Sequence, residues 1–173
     1  FELYLKGRFQ AGSQIIAFSR RDWNDQDYRD FITPSVSTKD KEKLKDFLSL
    51  IQYVSGTFDA PEGYIKLKES ILNEHTVIHL AIQPNAHTEV IHGLEKAGVK
   101  GKLLIEKPFG HDLISAQKLE EELEKYVECK NIYRIDHYLG KRGLDEVLRK
   151  RKEDSEFLLR LDKEHVESVH FRL

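Results

Sequence analysis

Eight consecutive residues of this 173-residue chain, Arg134 to Lys141, carry side chains that suit the binding of a phosphorylated small molecule. The run Arg-Ile-Asp-His-Tyr-Leu-Gly-Lys contains two permanent cations, one carboxylate, one imidazole and one phenol. Together, His137, Tyr138 and Lys141 offer donors and a cation for a phosphate group, which carries about −1.5 to −2 charges at neutral pH. If the segment enters a helix, His137 and Lys141 lie on one face, as residues i and i+4.

Asp136 precedes that imidazole, and two roles are open to it. A carboxylate can accept a hydrogen bond from a histidine and fix its orientation, as it does beside catalytic histidines. Alternatively, Asp136 is the N-cap of a solvated helix start. The residue types alone leave both roles open.

The elements that must position these side chains alternate between strands and helices. Four apolar runs are typical of buried strands, over residues 15–18, 76–82, 101–105 and 131–135, and a weaker one covers 52–56. Helical patterns lie between them, and the helix after Asp112 is the longest. This alternation predicts an α/β fold with a Rossmann-like, doubly wound and mostly parallel sheet.

Polar residues follow the strands, and ligands bind such sheets beyond the carboxyl ends of the strands. We therefore expect four polar groups at one rim: Arg20, Gln83–Pro84–Asn85, Glu106–Lys107–Pro108 and Asp136–His137. Arg20 is either a solvated cation or a ligand for the 2′-phosphate that distinguishes NADP from NAD. Lys107 is either an ordinary surface lysine or a charge that its proline neighbour holds toward the cleft.

Several classes of function lack support in the sequence. The net charge is −2 with no long like-charge block, which argues against nucleic acid or membrane as the main partner. The histidines lack the spacing of a metal site, so we expect no metal. A single cysteine, Cys129, rules out an internal disulfide and, with no apolar run long enough to span a membrane, favours the cytoplasm. No Gly-rich dinucleotide fingerprint and no nucleophile elbow occur.

Both ends of the chain suggest parts of a larger protein. The first seven residues read as the end of a helix, with Gly7 after its last turn. Residues 142–160 form a highly charged helical pattern, and 167–173 alternate as a strand does. We expect a dinucleotide-binding domain over residues 1–141, and a helix and strand over 142–173 that lead into something larger.

Two motifs resemble one enzyme family, the glucose-6-phosphate dehydrogenases. The run from Arg134 to Lys141 matches that family's pattern without a substitution, and Glu-Lys-Pro-Phe-Gly at 106–110 is a second, independent match. The resemblance implies NADP-dependent oxidation of glucose 6-phosphate to 6-phosphogluconolactone in the pentose phosphate pathway. It also implies a homodimer or tetramer for a full-length protein.

The resemblance implies a role for each matched residue. Lys107 would contact both the sugar and the nicotinamide side of NADP, while Asp136 would pair with a catalytic histidine. The 6-phosphate and sugar hydroxyls would be bound by His137, Tyr138 and Lys141. Arg20 would meet the adenosine 2′-phosphate, and His87 stands where the family has a tyrosine at the cofactor.

Two parts that the family uses for coenzyme binding and catalysis would lie outside this chain. The resemblance implies that the family's first strand with its Gly-rich turn would precede Phe1, so residues 1–141 would be a partial dinucleotide domain. The general-base histidine would follow Leu173, in a second, β+α domain into which residues 142–173 would lead. We therefore expect this chain to be an incomplete and inactive fragment of the enzyme. Two alternatives remain: a non-catalytic phosphosugar-binding or regulatory domain, which the charged 142–160 segment favours, and another NAD(P)-dependent sugar oxidoreductase.

Overall fold

Helices and strands alternate through the chain in the order that the sequence predicts. The structure, a computed structural model, describes residues 1–72, 75–160, 162 and 164–170. The chain divides into two compact units, Phe1–Arg134 and Ile135–Leu173. The domain boundary after Lys141 stays a prediction.

The bounds of the strands and helices follow the sequence patterns closely. The strands are β1 (Ile15–Ser19), β2 (Ile51–Ser55), β3 (Val77–Leu80), β4 (Lys102–Glu106) and β5 (Ile132–Ile135). The helices are α1 (Glu2–Leu5), α2 (Asp25–Ile32), α3 (Lys41–Ser49), α4 (Pro61–Ser70), α5 (His87–Lys96), α6 (Leu113–Tyr126), α7 (Arg142–Glu153) and α8 (Ser155–Leu159).

The strands form two sheets with parallel pairing. Strand β1 pairs in parallel with β2, and the second sheet has the order β3–β4–β5, with β3 and β4 parallel. Leu103 and Ile105 of the central strand β4 are fully buried, which explains the continuous apolar run in the sequence. The arrangement confirms an α/β, Rossmann-like fold with a parallel sheet.

A cleft separates the two sheets of the first unit. Strands β1 and β3 each pair with one neighbour among the described residues, so each has an unpaired edge. The cleft, of about 730 Å³, is lined by residues of both strands, including Ile16, Phe18, Ile78 and Leu80. Apolar walls and unpaired backbone edges suit one more extended strand.

The outer edge of β2, in contrast, is closed by side chains of α2. The backbone N–H of Tyr53 donates to Asp25 Oδ1 over 2.7 Å. Arg29 donates to the carbonyl oxygen of Ile51 through Nη2 at 2.6 Å and Nε at 3.1 Å. Because polar groups of the strand edge bind α2, the helix lies fixed along the sheet.

Two of the helices begin at capping boxes. Asp112 starts α6 as predicted: its carboxylate accepts from the N–H of Ser115, whose hydroxyl accepts from the N–H of Asp112. The sequence pattern before α3 predicts a cap at Ser37 or Thr38, and this prediction is wrong. Asp40 caps that helix, while Thr38 Oγ1 accepts from the N–H of Asp40, two residues further along the chain.

Asn24→Ala is expected to destabilise the chain by about 1 kcal/mol. The Asn24 side chain accepts hydrogen bonds from the N–H groups of Gln26 and Asp27 at 2.8 and 3.1 Å, and alanine leaves both donors without that partner. Urea unfolding followed by circular dichroism measures the loss. The control Asn24→Ser keeps a capping oxygen and should retain most of the stability; equal losses in both variants would contradict the capping role.

The second unit differs from the expected single helix and strand. Helix α7 ends at Glu153, and Asp154 begins the separate helix α8 by accepting from the N–H of Phe157 at 2.9 Å. The expected strand over 167–173 is not formed at residues 167–170, which have no regular structure. Residues 171–173 lie outside the described residues. No helix of the described part of the chain is long and apolar enough to cross a membrane.

Candidate functional site

Two predicted site residues lie at one edge of the three-stranded sheet. Lys107 directly follows β4, and His87 follows β3 after the 3-10 turn Pro84–Ala86. Because β3 and β4 are parallel, their carboxyl ends meet at the same edge. Two of the four groups expected at one rim, residues 83–85 and 106–108, therefore follow strand ends at the same edge, and His87 comes directly after the first of them.

The loop that presents Lys107 is fixed on both sides. Lys107 is exposed and its peptide bond to Pro108 is cis, while Phe109 packs against the core. Gly110 has φ of +78°, and a Cβ there would lie 2.6 Å from Ser115 Oγ and 2.7 Å from the backbone nitrogen of Ala116. Only glycine fits this approach to the start of α6. The Glu-Lys-Pro-Phe-Gly sequence thus anchors an exposed amine on a packed loop.

His87 is buried at the first turn of α5, with an exposed fraction of 1%. Neither ring nitrogen has a hydrogen-bond partner among the described residues. Burial lowers the pKa of His87 below its ordinary value, because the charged imidazolium loses its hydration. A buried imidazole with two unsatisfied nitrogens is a polar group that suits a ligand donor or acceptor.

The stability of the chain is expected to fall as the pH drops below 6.5, the ordinary pKa of histidine. The folded-state pKa of His87 is lowered, so the unfolded state binds the proton first and stability is lost on acidification. Removing the imidazole by His87→Leu should flatten this part of the stability–pH curve between about pH 7 and pH 5. Urea unfolding across that range measures the slope.

The exposed His111 provides the control for that experiment. His111→Leu removes one histidine of the same chemistry from the surface. The flattening should be specific to His87→Leu, because the His87 ring is buried and the His111 ring is exposed. Equal flattening by both substitutions would rule out His87 as the source.

Arg20 lies at the carboxyl end of β1, where the sequence places it, and is exposed. Its neighbour Arg21 is held more firmly: its guanidinium carbon lies 4.5 Å from the ring centre of Trp23 and 5.2 Å from that of Phe31. Tyr53 Oη also donates to the carbonyl oxygen of Arg21 at 2.8 Å. Sequence reasoning missed Arg21 as an ordered cation, although an arginine two residues before a tryptophan is a hint of such stacking.

The Asp136–Lys141 stretch belongs to the second unit and forms a turn. Asp136 Oδ1 accepts from the N–H of Tyr138 at 2.8 Å, and helix α7 begins only at Arg142. His137 and Lys141 therefore do not lie on one face of a helix, because both precede the first residue of α7. Lys141 Nζ instead lies 4.1 Å from the centre of the Tyr138 ring, so the ammonium and the phenol are brought together.

Among the described residues, no group of three or more histidine, cysteine, aspartate or glutamate side chains is placed to hold a metal ion. The predicted site residues carry arginine, lysine, imidazole and phenol side chains. Arginine, lysine and imidazole donors meet phosphates, while exposed amines and phenols meet sugar hydroxyls.

Comparison with known proteins decides the family. The profile described as "Glucose-6-phosphate dehydrogenase, NAD binding domain" matches residues 1–145. The chain belongs to the glucose-6-phosphate dehydrogenase family. The description of the matching profile names an NAD binding domain, which agrees with the Rossmann-like fold of residues 1–145.

Individual members of the family match most of the chain but a minor part of their own length. Glucose-6-phosphate 1-dehydrogenase of Kluyveromyces lactis is 32% identical, with 98% of this chain and 37% of that protein aligned. "Glucose-6-phosphate 1-dehydrogenase 6, cytoplasmic" of Arabidopsis thaliana is 31% identical, over 98% of this chain and 37% of that protein. The chain thus spans little more than a third of these curated relatives.

The fold comparison agrees. A solved glucose-6-phosphate dehydrogenase in complex with its substrate glucose-6-phosphate superposes with a TM-score of 0.84 and 30% sequence identity. The match covers 94% of this chain and 37% of that one. The family and its dinucleotide-binding fold are therefore shown for this chain.

Proposed function

We propose that this chain supplies the coenzyme domain of an NADP-dependent glucose-6-phosphate dehydrogenase. The enzyme would oxidise C1 of glucose 6-phosphate to 6-phosphogluconolactone. The observation that carries the proposal is the match of the family's dinucleotide-binding domain over residues 1–145, which includes the Arg134–Lys141 run. A solved relative with glucose-6-phosphate bound supports the choice of substrate.

The coenzyme fits the first unit by two observations. His87 offers buried ring nitrogens that have no partner among the described residues, and Arg20 and Arg21 place two cations after β1. Arginine suits a phosphate monoester, so Arg20 with Arg21 beside it would meet the 2′-phosphate and select NADP over NAD. Bound NADP⁺ supplies the acceptor for the hydride.

The sugar would be bound by residues of both matched motifs. Lys107 would donate to a sugar hydroxyl near the nicotinamide. His137, Tyr138 and Lys141 would bind the 6-phosphate and neighbouring hydroxyls, as charged and hydroxyl donors do. Asp136 would orient the general-base histidine, which the family carries beyond the region matched here.

Additional parts of a longer protein would complete the enzyme. One of these parts would be a further strand in the cleft between β1 and β3, which has apolar walls and unpaired strand edges. We further propose a cytoplasmic location, which the name of the Arabidopsis relative supports. A homodimer or tetramer is proposed for the full-length protein only.

The test separates binding from turnover. Isothermal titration should detect glucose 6-phosphate binding to the 173-residue chain, and His137→Ala and Lys141→Ala should each weaken it about tenfold or more. Arg151→Ala, an exposed cation of α7, is the control and should leave affinity unchanged. The chain alone should not reduce NADP⁺, whereas the full-length gene product should do so only when glucose 6-phosphate is present.

Three outcomes would change the proposal. If the 173-residue chain produced NADPH at an ordinary rate, the proposal that it lacks catalytic parts would be wrong. Sugar-phosphate binding without turnover in the full-length product would favour the non-catalytic alternative. Preference for an unphosphorylated sugar would favour another sugar oxidoreductase.

A further inference from the structure

Strand β4 ends at Glu106, the residue directly before Lys107, and the Glu106 side chain contacts His79 on the neighbouring strand β3. The backbone register of β3 and β4 ends at the pair Leu80↔Ile105. Glu106 lies beyond it, yet its Oε1 is 2.9 Å from Nε2 of His79 on β3. The side-chain contact therefore extends the connection between the strands to the residue directly before Lys107.

Parallel pairing makes this contact possible. His79 is opposite Leu104, and Glu106 is two residues further along β4. Residues two apart on a strand share a face, so Glu106 and His79 point to the same side as diagonal neighbours. A change in either side chain would act first on the carboxyl end of β4.

The pair contributes little to overall stability, because both side chains are partly in water. Their exposed fractions are 47% for His79 and 31% for Glu106, and pairs of this kind are weak stabilisers. Its position, however, is unusual, since Lys107 follows without an intervening residue. Small displacements of a group that contacts a reacting substrate have large effects on rate.

We propose that His79 is a positioning residue that holds the Glu106 end of β4 and thereby fixes Lys107. This inference rests on the proposed function of Lys107 at the sugar and nicotinamide. His79 itself touches neither substrate nor coenzyme in this mechanism. It acts only through Glu106.

The chain contains a closely matched control pair. His92 of α5 binds Glu122 of α6 with 2.7 Å between Nε2 and Oε2, and the exposed fractions are 46% and 23%. This second pair joins two helices. Removing His92 therefore breaks a similar contact that does not involve a residue next to Lys107, and it measures the structural cost of losing such a pair.

The first experiment uses the full-length gene product. His79→Ala should lower kcat about tenfold. His79→Gln should restore most of the rate, because the glutamine amide can donate to the Glu106 carboxylate. His92→Ala should leave kcat unchanged, while thermal unfolding shows similar small losses for His79→Ala and His92→Ala.

The second experiment does not depend on catalysis. Amide hydrogen exchange in the peptide that covers residues 102–109 should accelerate in His79→Ala and stay unchanged in His79→Gln and His92→Ala. Unchanged kcat or exchange in His79→Ala, or an equal loss of rate in His92→Ala, would overturn the proposal. If the parent protein shows no dehydrogenase activity while the exchange result holds, the positioning role of His79 stands and the proposed function fails.

Discussion

Lys107→Ala is expected to lower kcat/KM of the full-length dehydrogenase by about 100-fold or more, with the fold intact. The proposed amine contacts the sugar beside the nicotinamide, where charge changes as the hydride leaves. The loop that carries it is anchored by Phe109 and Gly110, and the exposed Lys107 side chain can be truncated without opening a cavity. Steady-state kinetics with glucose 6-phosphate and NADP⁺ measures the loss.

Lys102 is the matched control for this prediction. It is the first residue of β4, is exposed as Lys107 is, and lies at the opposite end of the strand. Lys102→Ala should retain the parental kcat/KM. A similar loss in both variants, or full activity in Lys107→Ala, would show that the amine of Lys107 has no special role.

Gly93→Ala is expected to destabilise the first unit by about 1–3 kcal/mol. A Cβ at Gly93 would lie 2.2 Å from Cζ of Tyr64, a ring that is only 1% exposed. The Tyr64 hydroxyl donates to the carbonyl oxygen of Phe58 at 3.0 Å, and burial raises the pKa of Tyr64 to about 12. Because the ring is packed and hydrogen-bonded, it cannot move aside for a methyl group.

Helix propensity alone would give the opposite sign, since alanine in a helix is favoured over glycine by about 0.5–1 kcal/mol. Gly143 of α7 has nothing within 4 Å of a built Cβ and supplies that comparison. Gly143→Ala should raise helix content slightly. Urea unfolding of both variants, and of Gly93→Ala combined with Tyr64→Leu, measures the steric contribution. If Gly93→Ala costs as much unfolding free energy in the Tyr64→Leu background as in the parent, the clash with the ring is not the cause of the loss.

The local patterns predicted the elements of the fold well because each is set by neighbouring residues. The apolar run at 15–18 became β1, and Asp112 starts α6, since a capping residue acts within one turn of its helix. The break at Asp154 was missed, because lysine, arginine and glutamate favour helix before it. Asp154 has an extended backbone, and its side chain accepts from the N–H of Phe157 at the start of the next helix.

Tertiary features of the candidate site were less accessible. His87 was singled out only by the family resemblance, and its burial depends on how α5 packs, which no local pattern states. The His79–Glu106 contact requires the register of β3 and β4, and the Arg21 stack requires α2 to lie beside β1 and β2. The roles of Asp136, His137, Tyr138 and Lys141 were inferred from residue types and made specific by the family resemblance, and they stay predictions.

The contacts of Asp25 and Arg29 with β2 have a consequence for aggregation. An exposed sheet edge is a template on which another chain can add a strand, and repeated addition leads to fibrils. At β2 the N–H of Tyr53 and the carbonyl of Ile51 already bind α2, so an incoming strand would have to displace a carboxylate and a guanidinium. Self-association by strand addition should therefore proceed through the other terminal strands, which are β1, β3 and β5. In concentrated solutions of the double variant Asp25→Ala/Arg29→Ala, the edge of β2 should add a further route.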